Sequence, residues 1–157
     1  MQIHENGVSN TMLITCAFEQ VNSRLLACGG LDTKIFIFTL NRKEDEDKLN
    51  KTYELTKHLG LITSCSFLDE NFLVSASNDS TLILWDINRE GVCVRQFFEH
   101  GAEILCLDVC KENSNLLISG SGDKSIKYWD IRMKEACTQV FNDNKYPVTS
   151  IKFMPGR

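Results

Sequence analysis

The sequence predicts an all-β chain of four-stranded sheets, set side by side like the blades of a propeller. Three observations carry this. One phrase recurs three times: Leu26-Ala-Cys-Gly-Gly-Leu-Asp32 followed by Phe38, Leu73-Val-Ser-Ala-Ser-Asn-Asp79 followed by Trp85, and Leu117-Ile-Ser-Gly-Ser-Gly-Asp123 followed by Trp129. The copies stand roughly 45 residues apart, the length of a four-strand unit ending in Trp-Asp. Short apolar runs alternate with turn residues throughout, and no window shows a 3.6-residue apolar period.

Taken in order, the runs predict strands at 13–18, 24–30, 34–40, 51–56, 62–67, 71–77, 81–87, 92–98, 104–109, 115–121, 125–131, 136–141 and 148–153, with a short extended stretch near 2–5. In fours these make three blades, 13–56, 62–98 and 104–141. Residues 148–157 open a fourth, because Val148-Thr-Ser-Ile-Lys-Phe153 resembles Ile62-Thr-Ser-Cys-Ser-Phe67. Pro147 and Pro155, the only prolines, fall at strand edges, where a missing N–H is tolerated. Every residue of Asn41–Lys51 except Leu49 is charged or Asn, so this stretch reads as a solvated loop joining the last two strands of the first blade.

Composition narrows the function classes. The chain has 157 residues, 43% of them hydrophobic and 24% charged, enough to build a core. Its net charge is -4 with no Lys/Arg-rich face, which argues against a nucleic-acid partner or an anionic membrane surface. No apolar run approaches the roughly 18 residues of a membrane span, so direct membrane insertion is not expected. Seven cysteines, an odd number without a Cys-x-x-Cys, read as small hydrophobes inside strands of a cytoplasmic protein.

The polar residues that recur with the phrase predict a hydrogen-bonded network. In the second blade these are His58, Ser75, Asp79 and Trp85; in the third, His100, Ser119, Asp123 and Trp129. An Asp buried in a tight turn needs partners. His can supply a donor, Ser can support His, and Ser can accept the indole N–H, tying the turn to two strands and the preceding loop. The first blade has Asp32 but carries Cys28 and Phe38 in the Ser and Trp slots, so its network is weaker. Asn144 stands where the next His would fall.

A Ser/His/Asp catalytic set is the competing reading. A set repeated once per blade and built into turns is a structural device, and no Gly-x-Ser-x-Gly elbow occurs. His100, Cys106 and Cys110 form the nearest metal-like cluster, but strand alternation aims only part of it at one point. No phosphate-binding glycine loop is present. Catalytic residues, cofactors and metals are therefore not expected.

These residues resemble the WD-repeat family, and within it the β subunits of heterotrimeric G proteins. Ala27-Cys-Gly-Gly-Leu-Asp32, Ser66-Phe-Leu-Asp-Glu-Asn71, Leu84-Trp-Asp-Ile87 and Leu117-Ile-Ser-Gly120 carry the resemblance, in the same order and spacing. It implies a seven-bladed WD-repeat β-propeller, of which this chain is a fragment with three blades and the first strand of a fourth. The chain is then either part of a longer protein, with a helix and one blade upstream, or a truncated form. The resemblance also implies a non-catalytic scaffold in receptor signalling. Its partners would be a GDP-bound G-protein α subunit, a γ subunit and effector proteins, and a lipidated γ would hold it at the inner face of the plasma membrane. The alternative is a general WD-repeat adaptor in ubiquitin ligation, ribosome association or trafficking.

Family contacts come from the loops entering each inner strand and from the tight turns. By position these fall on Thr11 and Ile14, Leu31 and Thr33, Gly60 and Leu61, and Glu103 and Leu105. Leu31 matches the family residue and Glu103 keeps the acid. Ile14 and Leu105 replace methionines, while Met12, Leu61 and Pro147 stand at Trp, Tyr and Asp sites. Beside these readings, a singly exposed leucine such as Leu31 or Leu61 is ordinary surface.

Overall fold

A computed structural model describes residues 11–22, 24–43 and 46–154. The extended stretch expected near 2–5 and the edge position of Pro155 lie outside them. Among the described residues there are twelve strands and no helix. The first sheet is β1 (Leu13–Phe18), β2 (Leu25–Gly30), β3 (Lys34–Lys43) and β4 (Glu46–Thr56). The second is β5 (Ile62–Phe67), β6 (Phe72–Ser77), β7 (Leu82–Asp86) and β8 (Val92–Phe97). The third is β9 (Ile104–Val109), β10 (Leu116–Ser121), β11 (Ile126–Asp130) and β12 (Cys137–Phe141). Each is an antiparallel meander with its strands in chain order, and the three do not close into a ring.

The sheets stack through their first two strands: β5 lies against β1 and β2, and β9 against β5 and β6. After its first residue the second strand of each sheet is buried along its whole length. This explains why β2, β6 and β10 lack hydrophobic-polar alternation and use small residues instead. Between the first two sheets, Ala27, Ile35, Ile37 and Leu55 meet Ile62, Phe67, Leu73 and Trp85. Between the second and third, Val74, Leu82 and Phe97 meet Ile104, Leu107 and Trp129. Each indole thus faces the preceding sheet. The equivalent side chain of the first sheet, Phe38, packs with Leu26, Cys28 and Phe36 on that sheet's other face.

A glycine marks each end of the stack. A Cβ on Gly29 would lie 2.6 Å from Ile62 Cγ2, so the second sheet seats its first residue where the first sheet has no side chain. A Cβ on Gly120 would lie 2.5 Å from Val148 Cγ1. Val148 therefore docks on the third sheet as Ile62 docks on the first. Its N–H also donates to Ser121 O at 3.1 Å.

Two expectations about elements are corrected. Residues 41–43 and 46–51 belong to strands rather than a loop: β3 and β4 continue as a two-stranded ribbon in which Asn41 pairs with Lys48 and Thr39 with Asn50. A two-stranded ladder pairs its facing backbone groups and leaves the outward ones to water, so it needs no apolar face where it projects from the sheet. Residues 148–153 lie along β9, where Asp108 accepts from Lys152 Nζ at 2.8 Å and from Phe153 N–H at 2.7 Å. They form no ladder, since no described residue offers them a partner strand, and Pro147 precedes this unpaired segment.

Candidate functional site

The repeated polar residues meet in the second and third sheets as two nearly superposable chains of hydrogen bonds. The tight turn between β6 and β7 carries Asp79, and the loop before β5 carries His58. Asp79 Oδ2 lies 2.9 Å from His58 Nδ1, and a carboxylate only accepts, so Nδ1 bears the proton. His58 Nε2 then accepts from Ser75 Oγ at 2.7 Å, and Ser75 Oγ accepts the Trp85 indole N–H at 2.8 Å. In the third sheet His100 Nδ1 to Asp123 is 2.8 Å, His100 Nε2 to Ser119 is 2.7 Å, and Trp129 Nε1 to Ser119 is 2.8 Å. Both histidine side chains are almost wholly buried. Each bond hands its donor to the next group, from indole to hydroxyl to imidazole to carboxylate, and such a chain polarises itself.

The turn itself completes the network. Leu59 N–H donates to Asp79 Oδ2 at 2.8 Å, and Thr81 donates to Oδ1 through N–H at 2.9 Å and O–H at 2.7 Å. In the third sheet Gly101 N–H and Ser125 do the same for Asp123. Ser77 and Ser121 accept the N–H of Asp79 and Asp123 at 3.1 Å. The sequence reading missed Thr81, Ser125, Ser77 and Ser121. The available signal was a hydroxyl recurring two residues on either side of Asp79 and Asp123.

These bonds decide the ionisation states. Burial opposes the charge on Asp79, but the donors His58, Thr81 and Leu59 outweigh it and hold the carboxyl well below the usual carboxylate range. Asp123 behaves alike, with burial outweighed by Ser125, His100 and Gly101. Burial pushes His100 down despite its carboxylate neighbour, so it is neutral at pH 7, as the bonding pattern requires. Both ring nitrogens of His58 and of His100 are engaged inside the network, and both rings are buried. The arrangement is a structural clamp. Among the described residues, no three His, Cys, Asp or Glu side chains are grouped to hold a metal ion.

The first sheet differs. Cys28 and Phe38 fill the Ser and Trp slots, and buried Asp32 Oδ1 has no hydrogen-bond partner among the described residues. The backbone still follows the pattern. Leu31 N–H donates to Met12 O, Asn78 N–H to Leu61 O and Gly122 N–H to Glu103 O, at 3.1, 3.0 and 2.9 Å. Each tight turn is therefore tied to the segment entering its own inner strand. Thr33, Ser80 and Lys124, next after each Asp, share φ values of 61°, 70° and 69°.

These ties hold Met12, the residue after Thr11, against Leu31 in the turn that carries Thr33, set Gly60 and Leu61 beside the 78–80 turn, and set Glu103 beside the 122–124 turn. Leu31 is 48% exposed, while Leu61, Glu103 and Leu105 are half-buried. Ile14 and Leu105 sit inside strands instead. The register jumps from Leu13↔Gly30 to Thr15↔Gly29 and from Ile104↔Ser121 to Cys106↔Gly120, so each is the extra residue of a β-bulge. Thr63 holds the same place in β5 and donates to Ala76 O and Ile104 O at 3.1 and 2.7 Å. Ile14 consequently lines an apolar groove on the open face of the first sheet rather than standing beside Leu31 in the turn.

Comparison with known proteins agrees with this architecture. The family model "WD domain, G-beta repeat" matches residues 49–86 and 91–130. Each matched unit joins the outer strand of one sheet to the first three strands of the next, so the sequence repeat is offset from the sheet by one strand. A "Guanine nucleotide-binding protein subunit beta" of Dictyostelium discoideum is 29% identical over 113 residues, 72% of this chain and 31% of the relative. The "Guanine nucleotide-binding protein G(I)/G(S)/G(T) subunit beta-1" of Homarus americanus is 32% identical over 108 residues, 69% of this chain and 31% of the relative. A "Guanine nucleotide-binding protein subunit beta-1" of Drosophila melanogaster is 32% identical over 111 residues, 71% and 32% of the two chains. The matched region spans about a third of the length of these relatives.

Proposed function

Because this chain belongs to the WD-repeat family, we propose that it is a non-catalytic scaffold that works as, or as part of, a G-protein β-type subunit. The observation that carries this reading is the repeated tie between each tight turn and the segment entering its own inner strand. Locked turns present side chains from successive blades without paying the ordering cost of flexible loops. The similarity to guanine nucleotide-binding protein β subunits supports the choice of partner class.

The expected partner is a GDP-bound α subunit, docking on the edge marked by Thr11, Leu31, Thr33, Gly60, Leu61 and Glu103. Ile14 and Leu105, set back in the strands, contribute apolar surface behind it. Effector proteins would use the same edge once α is released, so the mechanism is occlusion. A lipidated γ subunit would bring the assembly to the cytoplasmic face of the plasma membrane. Among the described residues no helix is long and apolar enough to cross a membrane. Met12 and Leu61 stand where the family resemblance implies aromatic anchors. Since an aromatic hot spot is typically worth about 2 kcal/mol or more, affinity for an ordinary α subunit is expected to be reduced.

The test is capture of purified α subunits loaded with GDP or with a non-hydrolysable GTP analogue. Preferential capture of the GDP form supports the reading. Equal capture of both forms, or of neither, removes it in favour of a general WD-repeat adaptor.

A further inference from the structure

Two large apolar side chains on the turn edge of the second sheet are not required by the fold. Leu59 is 90% exposed and Phe98 67%. Leu59 serves the hydrogen-bond network through its backbone, since its N–H donates to Asp79 Oδ2 at 2.8 Å. In the third sheet Gly101 makes the same bond to Asp123 without any side chain. Phe98 follows Phe97, which pairs with Leu82. The residues that follow the equivalent partners, Leu55 and Phe141, are Thr56 and Asn142. At neither place does the repeat need an apolar group.

Leu59 and Phe98 belong to one tight turn. Leu59 is tied to Asp79 at its start, and Phe98 lies one residue past the partner of Leu82 at its end. Half-buried Leu61, whose O accepts the Asn78 N–H, extends the apolar surface inward. The second sheet has the first packed on one side and the third on the other. The exposure of this pair is therefore set inside the repeat and not by the ends of the chain.

The charge beside the pair defines its complement. Glu99 and Glu103 follow Phe98 in the loop from β8 to β9, and among the described residues neither carboxylate takes a hydrogen bond or an ion pair. Glu103 lies against the adjoining turn: a Cβ on Gly122 would come 2.6 Å from Glu103 Cδ, so only glycine leaves room there. Over residues 57–61, 78–81, 98–103 and 122–125, Asp79, Glu99, Glu103 and Asp123 face only Lys57 and Lys124, so acid outnumbers base. An acidic and apolar surface complements a basic and apolar one. We propose that Leu59 and Phe98 are the apolar anchors of a docking surface for a partner segment that carries apolar side chains beside Lys or Arg. Glu99 and Glu103 form its acidic rim. The surface adjoins Gly60 and Leu61 of the edge described under the proposed function, but what it recognises does not depend on the partner of that edge.

The experiment uses the full chain and a fluorescein-labelled peptide of leucines and lysines, beside leucine/glutamate and serine/lysine peptides of the same length, read by fluorescence anisotropy. The leucine/lysine peptide should bind more tightly than both others. Leu59→Gly and Phe98→Asn insert the residues that the third sheet uses at these places, and each should weaken binding roughly tenfold. Glu99→Gln combined with Glu103→Gln should flatten the dependence of binding on salt. Val94→Thr removes a different exposed side chain, at the outer-strand bulge where the other sheets carry Thr52 and Thr138, and should leave binding unchanged. No binding of the leucine/lysine peptide, unchanged binding in both loop variants, or an equal loss in Val94→Thr would each overturn the proposal. No α subunit takes part, so failure here and failure of the α-subunit reading are told apart.

Discussion

Trp85 donates its indole N–H to Ser75 Oγ across 2.8 Å, and that oxygen also meets His58 Nε2 at 2.7 Å. One hydroxyl therefore serves two buried partners on different elements. Trp85→Phe should cost about 1–2 kcal/mol from the lost bond and the space left behind. Ser75→Cys should cost a similar amount by depriving both neighbours. The double variant copies the Cys28 and Phe38 of the first sheet, where no indole needs an acceptor. It should cost less than the two singles together by about 0.5–1 kcal/mol. Urea unfolding of the four proteins measures this, and strict additivity would mean that Ser75 and Trp85 act independently.

Asp79 and Asp32 occupy the same turn position but should differ in importance. Asp79→Ala strands the Leu59 and Thr81 N–H groups and the His58 Nδ1 proton, a loss of about 2–4 kcal/mol. Asp32 has a buried oxygen without a partner among the described residues, so Asp32→Ala should cost less than about 1 kcal/mol. Thermal melts of the two variants check the ranking, and equal losses would contradict it.

Stability should fall with acid in two stages of the same sign. The folded pKa of His100 is depressed, so the unfolded chain takes up its proton first, and stability starts to drop as pH falls through about 6.5. Asp79 and Asp123 are also depressed, so their contribution is full above an unfolded pKa of about 3.9 and is lost below it. Unfolding free energies from pH 8 to pH 3 should decline across both windows. In His100→Gln the upper step should shrink.

Thr33 is a β-branched residue at φ 61°, a backbone region that costs non-glycine residues about 1–2 kcal/mol. Thr33→Gly should therefore be neutral or stabilise the fold by up to about 1 kcal/mol, despite the added freedom of the unfolded chain. A clear loss of stability would show that the Thr33 side chain makes a contact worth more than the backbone strain.

Leu31 is 48% exposed at the tip of the first tight turn, so Leu31→Ala should leave the melting temperature nearly unchanged. If the proposed docking edge is right, the same change should weaken α-subunit binding by about 2 kcal/mol, the loss typical of a hot spot. Calorimetric titration beside a thermal melt separates the two effects. A large fall in stability would place Leu31 in the core instead.

Much of the candidate site was legible because its parts repeat. His58, Ser75, Asp79 and Trp85 stand in the same order as His100, Ser119, Asp123 and Trp129, and a polar pattern recurring in turns and strand interiors asks for internal partners. Thr81 and Ser125 escaped because a hydroxyl beside a turn looks like ordinary turn chemistry until its distance to the carboxylate is known. Ile14 and Leu105 were grouped with the loops because a bulge leaves no mark in residue type.

By itself the sequence determined the all-β class, the blade period, the position of each tight turn and the His, Ser, Asp and Trp that anchor the turns of the second and third sheets. These follow from local chemistry and spacing, which one copy of the repeat states and the others confirm. Only the tertiary structure decided that residues 41–43 pair with residues 46–48 as a ribbon, that residues 148–153 lie on β9 without a ladder, and that Cys16 stands opposite Cys28 across β1 and β2. Each of these depends on what lies across a ladder or against a sheet face. Register between strands comes from pairing residues distant in the chain, and shifting it by one residue would turn every side chain to the other face.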